Sequence, residues 1–295
     1  MKRFLVFATV AAAIMSSCTK QYIDEAPNQG GSDAIGFSTY VGNASKGVAK
    51  SVFVMGDQFF VYGGQTGAAN FDIAAPNNAT WTYTGGLFPE NGAKVSNYGS
   101  DIWRYENPQP WGDFKTTFFA FSPVPVAGGQ THGITMTKPA VNTIPTIDFV
   151  VKGGYPTASA ISSPEANTAR AENKKQVDLL WAFAADKSHV DKSVELNFKH
   201  ALTQLNFSVR SLAPAGQMIR INTIAVKNVM TKATLALAHD DTQAPNKLGD
   251  LNYMGGWKTP TEVKNFPVNL KNSVAALIKD NDIHAINDAD EALMM

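Results

Sequence analysis

The sequence predicts an all-β protein of two β-sandwich domains, and three observations predict it. Apolar and polar residues alternate with a period of two in one run after another, the pattern of half-buried strands. The runs are short and are punctuated by Gly, Pro, Asn and Asp, which supply turn geometry. The 23 glycines and 15 prolines among 295 residues suit many strands joined by turns. Long helical periodicity is hard to find, and strands without intervening helices argue for sandwiches. The length supports two domains on the usual prior.

The chain opens MKRFLVFATVAAAIMSSCTK. A basic start at Lys2 and Arg3, an apolar run from Phe4 to Ile14 and small residues at Ser16 and Ser17 have the layout of a secretory signal peptide. The run is shorter than the roughly 20 apolar residues of a permanent span. Residues 1–17 are read as the signal and 18–33 as a polar, Pro- and Gly-containing tether. Cys18 is the only cysteine, so no internal disulfide is available. Met15-Ser16-Ser17-Cys18 resembles the lipobox of bacterial lipoproteins, which implies cleavage before Cys18 and acylation of it. Such an anchor holds an otherwise soluble body at a membrane.

Ordered sequence begins at AIGFSTYV, where Ile35, Phe37, Thr39 and Val41 alternate with smaller or more polar residues. NASKGVAK interrupts the pattern and SVFVMGDQFFVYGG resumes it. Further strands are expected at Ala79–Thr84, Asp101–Tyr105, Thr116–Ser122, Thr146–Lys152 and Val177–Ala184. Residues 123–145 and 153–175 read as long loops. In SVELNFKH, Val194, Leu196 and Phe198 face one way and Glu195, Asn197 and Lys199 the other. QLNFSVR repeats the device with Leu205, Phe207 and Val209, so Phe198 and Phe207 are expected inward on adjacent strands. MIRINTIAVKNV and ATLALA continue it. Helix is expected only at Ser273–Ile278 and in a turn at His200–Thr203. The polar DKSH, Asp186–His189, marks the boundary between an N-terminal domain, 34–186, and a C-terminal domain, 187–295.

Charge excludes one class of partner. The 25 basic residues match the 25 acidic ones, and removal of Lys2 and Arg3 with the signal leaves two more acidic than basic. Nothing is basic enough for nucleic acid. No catalytic or cofactor-binding motif is found. The histidines, His132, His189, His200, His239 and His284, lack zinc-site spacing. His200, beside a core strand in FKHAL, reads as a structural hydrogen-bonding residue to backbone. DNDIHAINDAD lacks the Gly and terminal Glu of an EF-hand loop. No P-loop, G-x-G-x-x-G or G-x-S-x-G occurs. Neither a metal, a cofactor nor an enzymatic activity is expected. Trp103, Tyr105 and Trp111, with Trp81 and Tyr83 nearby, allow two readings: a flat aromatic platform for glycans, or sandwich core. Trp103 and Tyr105 would share one face of a strand, which favours the core.

FFVYGG, WRYENPQPWGDFKTTFFAFSPVP, VDLLWAFAA and VELNFKHALTQLNFSV follow one another as in the fimbrillin-like lipoproteins of Bacteroidetes, which the chain resembles over about residues 33–295. The DLLWA and FKHAL blocks are the most specific. The resemblance implies two transthyretin-like β-sandwich domains and a structural or anchor subunit of a type V pilus. It implies lipid at Cys18, an exported outer-membrane lipoprotein at the cell surface, and adhesion. Other pilus subunits are the implied partners, joined by strand donation after a protease removes the first strand. AIGFSTYV matches that strand and NASKGVAK the cut segment. Relatives cut by an arginine-specific protease carry Arg there, whereas this chain has none between Arg3 and Arg104. Lys46 and Lys50 are then the candidate processing sites, or the strand is kept, as in anchor subunits. The chain ends at DADEALMM, where relatives continue into further strands, so the second domain is expected to be incomplete. The alternative function is a surface glycan-binding lipoprotein.

Overall fold

The computed structural model describes residues 34–42, 50–67, 70–72, 92–126, 131–137, 143–214, 217–238, 256–271, 276–278, 282–288 and 291–295. In chain order the strands are β1 Gly36–Val41, β2 Gln58–Gly67, β3 Ala93–Asn97, β4 Trp103–Tyr105, β5 Lys115–Ser122, β6 Ile134–Met136, β7 Thr146–Val150 and β8 Tyr155–Pro156. Helix α1, Pro164–Asn173, follows. Then come β9 Leu180–Lys187, β10 Ser193–His200, β11 Gln204–Leu205, β12 Ser208–Arg210, β13 Ile219–Ile221, β14 Ala225–Ala236, β15 Trp257–Pro267, β16 Ala276–Ile278, β17 Ile283–Ala285 and β18 Leu293–Met294. The protein is all-β apart from α1 and short 3-10 turns, one of them at His189–Asp191, among the described residues. Two larger sheets carry the fold, ordered β1-β10-β9-β5-β2-β3-β4 and β6-β7-β14-β15-β8.

Strand β5 shows why the sheets stack. Thr116–Ser122 are buried throughout, because both faces of the strand are covered. Phe118 and Ala120 point into one core, with Phe59 and Val61 of β2 and Leu180 and Ala182 of β9. Phe119 and Phe121 point into a second core, with Tyr62, Trp181, Phe149, Leu235 and Phe266. The second core therefore lies between the two sheets. The first lies inside the seven-stranded sheet, whose edges curl towards each other until Ala34 bridges Pro110, just past β4.

The pairing crosses the boundary expected between 186 and 187. Strand β10 pairs with β9 and with β1, and β7 pairs with β14. DKSH is a turn within one sheet: the Ser188 amide donates to the Asp191 carboxylate at 2.7 Å. Phe198 and Phe207 consequently belong to different cores, Phe198 fully buried in the first and Phe207 half-buried against the second. They do not lie on adjacent strands, since β10 pairs with β1 and β9 whereas β12 pairs with β17.

The two expected loops hold structure. Within 123–145 lies β6, preceded by Gly133, whose carbonyl accepts from the Val150 amide of β7 at 2.8 Å and whose φ of +80° suits glycine. A Cβ there would meet the Val150 carbonyl oxygen at 2.2 Å. Within 153–175 lie β8 and α1. Ser163 caps α1 by accepting from the Ala166 amide, and Pro164 opens it. The helix expected at Ser273–Ile278 is replaced over Ala276–Ile278 by β16, paired with β13. SVFVMGDQFFVYGG becomes strand only from Gln58, after a turn in which the Asp57 carboxylate accepts from the Val54 amide at 2.6 Å. The strand expected at Ala79–Thr84 lies outside the described residues.

Candidate functional site

The first strand fills a groove. Alternation in AIGFSTYV buries Ile35, Phe37 and Val41, leaves Thr39 half-buried and exposes Tyr40. The strand pairs in parallel with β10, in a register that sets Phe37 against Val194, Thr39 against Leu196 and Val41 against Phe198. The Gly42 amide extends the ladder to the Phe198 carbonyl at 3.0 Å. At the other end, the Ile35 amide donates to the Gln109 carbonyl at 2.9 Å. On its second side β1 lies against β4.

Phe37 sits at the centre of this groove. Its ring meets Phe59, Tyr105 and Phe118 edge-on at centroid distances of 5.7, 5.8 and 5.7 Å. Such pairs add to the area they bury. Complete burial of a side chain of this size contributes about 1.5–3 kcal/mol. Removal of β1 would thus open an apolar slot between β10 and β4, floored by Phe59, Phe118, Leu196 and Phe198.

The covalent link from that strand to its partner is long. A short hairpin can join antiparallel neighbours, but a parallel partner needs a long connection. Here the connection from β1 to β10 runs through β2 to β9. The only chain link between β1 and the body of the fold leaves at Gly42 and returns at Lys50.

The aromatic candidates for a glycan platform are placed otherwise. Trp103 and Tyr105 are buried in the first core, 6% and 7% exposed, so neither can offer a flat face to a sugar. Trp103 packs on Phe53 and Phe59 at 5.2 and 4.8 Å. Trp111 is half-buried, edge-on to Phe118 at 6.2 Å. The Tyr105 hydroxyl donates to the Ile35 carbonyl at 2.9 Å and accepts from the Gln109 amide at 3.1 Å. Burial raises the Tyr105 phenol above its ordinary pKa, with the Gln109 amide opposing. Trp81 and Tyr83 lie outside the described residues, as do Cys18 and Lys46.

Lys50 is tied down where the chain re-enters the fold. Its amide donates to Asp178 Oδ2 at 2.5 Å, and its ammonium pairs with Asp57 at 2.8 Å. Asp178 also receives His200 Nδ1 at 2.8 Å, and His200 Nε2 lies 3.4 Å from the Gly42 carbonyl oxygen. His200 thus bonds chiefly to a carboxylate, where the sequence suggested backbone. Lys50, Asp57, Gln58, His132, Gln176 and Asp178 line a cleft of about 360 Å³ there. Sequence reasoning missed Asp178, although DLLWA and FKHAL, the two most specific blocks, supply this pair. No group of three or more metal-ligating side chains occurs among the described residues, and none of their helices is long and apolar enough to cross a membrane.

A curled sheet closed by its own first strand and stacked on a second sheet defines an all-β fold of the sandwich class. The sequence matches the fimbrillin-like family over residues 31–282, and the chain belongs to that family. Among solved structures it is similar to a fimbrial protein from Bacteroides vulgatus, at 19% identity and a TM-score of 0.57, over 89% of this chain and 76% of that one. A candidate cell adhesion protein from Bacteroides uniformis matches at 14% identity and a TM-score of 0.44, covering 85% and 76% of the two chains. The fimbrial anchor protein Mfa2 from Porphyromonas gingivalis matches at 9% and 0.35, covering 86% and 74%. The first of these bears on the fold. No curated protein matches the sequence significantly.

Proposed function

We propose that the chain is a structural or anchor subunit of a type V pilus at the cell surface. It travels as an outer-membrane lipoprotein acylated on Cys18, and it joins other subunits by strand exchange and supports adhesion. The observation that carries this reading is β1. It is a parallel edge strand whose inner side chains complete the core, and its one link to the body runs between Gly42 and Lys50. A cut in that link leaves β1 held without a covalent bond, and its departure uncovers backbone and apolar pockets that a donated strand can fill. In such augmentation the main chain supplies affinity, and alternate side chains supply register. Until then β1 keeps the apolar slot covered, which guards against uncontrolled pairing.

The reading is tested on surface filaments isolated from cells that express the chain. Mass spectrometry of its N-terminus should give a residue just after Lys46 in a polymerised stalk, or acylated Cys18 in an anchor. Absence of the chain from filaments, with an unmodified Cys18 in the cell envelope, would reject it.

A further inference from the structure

The point where the chain re-enters the fold is built to resist the kind of cut its neighbourhood invites. Lys50 is a basic residue beside an interruption in the strand pattern, the type of site a trypsin-like protease reads. A protease must draw such a residue and its neighbours out into an extended stretch, so it cuts only what opens locally. Lys50 is restrained at its amide and at its ammonium. Its amide is bonded to Asp178, a carboxylate whose side chain is only 4% exposed. Its ammonium is paired with Asp57 and lies 5.6 Å from the centre of the Phe53 ring. Three residues on, Phe53 is buried between Trp103 and Phe198, at 5.2 and 5.0 Å. His200 holds the Asp178 carboxylate at 2.8 and 3.0 Å to its two oxygens, so the carboxylate stays aimed at the Lys50 amide.

We propose that Asp178, held by His200 and aided by Asp57, seals Lys50 against proteolysis and fixes the N-terminal boundary of the processed body at or before that residue. Asp178 and His200 are positioning residues here. They keep the Lys50–Phe53 segment docked and so protect the bond after Lys50. This rests on the reading of β1 as a strand released by cleavage, and gives that reading a defined boundary.

The experiment is limited trypsin digestion of the folded chain, with cleavage after Lys50 followed by mass spectrometry, in the native protein and in Asp178→Asn, His200→Gln and Asp57→Asn. Loss of a hydrogen bond to a charged group is large enough to raise local opening about tenfold. Cleavage after Lys50 should therefore be slow in the native protein, and at least about tenfold faster in Asp178→Asn. It should be faster by a smaller factor in His200→Gln and Asp57→Asn. Cleavage after Lys264, in β15 and remote from the pair, reports global unfolding and should not change. Rapid cleavage after Lys50 in the native protein would overturn the proposal. So would unchanged cleavage in all three variants, or a rise at Lys264 equal to that at Lys50. Asp57→Asn, at a partly exposed side chain, keeps the test open should Asp178→Asn fail to fold. Addition of a strand peptide to the cut protein separates the two ideas: refusal of the peptide with Lys50 still sealed would reject strand exchange and leave the boundary standing.

Discussion

The Tyr105 hydroxyl donates to the Ile35 carbonyl at 2.9 Å, a bond across 70 residues that ties the entry of β1 to the opposite edge of its sheet. The same oxygen accepts from the Gln109 amide, so one phenol serves two backbone groups. Tyr105→Phe leaves both without that partner. It should lower stability by about 1–3 kcal/mol, the cost of a buried polar group left unsatisfied. Denaturant unfolding with an unchanged slope checks it. A neutral result would place Tyr105 outside the structure that holds β1.

The two phenylalanines of the alternating strands should behave differently. Phe198 is fully buried in the first core, and Phe198→Ala should cost about 3–5 kcal/mol. Phe207 is half-buried, and Phe207→Ala should cost less than about 2 kcal/mol. Equal losses in chemical denaturation would contradict the assignment of these residues to separate cores.

Alkaline pH should weaken the fold through Tyr62. Burial pushes its pKa from 10.0 up to about 12. The unfolded chain releases this proton above pH 10 while the folded one keeps it to about 12. Stability is therefore present below pH 10 and declines between those values, by up to about 1.4 kcal/mol per pH unit. Stability measured against pH should fall less steeply in Tyr62→Phe. Identical slopes would contradict the burial of this phenol in the folded state.

Cys18→Ala should leave the fold intact and release the protein from membranes. Fractionation after a high-salt wash checks it; a variant that stays with the membrane would contradict lipidation at Cys18.

How legible each element was depended on its surroundings. The alternation of β10 was plain because its second face meets solvent: Val194, Leu196 and Phe198 are buried while Glu195, Asn197 and Lys199 are exposed. Helix α1 was missed because it buries only Ala166, Ala169 and Asn173, and so presents no apolar stripe to read. Its signals were local, a Ser163-Pro164 start that suits a cap and first turn. The parallel pairing of β1 with β10 joins residues more than 150 apart, and no periodicity encodes such a partner. That pairing also explains why DKSH misled: a polar break looks the same whether it separates domains or turns one strand back on the next. Of the site, the first strand was legible in its alternation. The Asp178–His200 pair was not, because Asp178 lies just before β9 and His200 at the end of β10, and no short motif unites them.

The central claim is that β1 is a replaceable part of the core. The direct measurement is cleavage between Gly42 and Lys50, followed by size-exclusion chromatography and mass spectrometry with and without an excess of a donor-strand peptide. Phe37 marks the decisive pocket, enclosed by Phe59, Tyr105 and Phe118. The cut protein should release residues 34–42 and bind a peptide with a large aromatic at the Phe37 position, while the uncut protein stays monomeric and ignores it. A peptide with Asp at that position should not bind. A cut protein that retains residues 34–42 and takes up neither peptide would contradict the account.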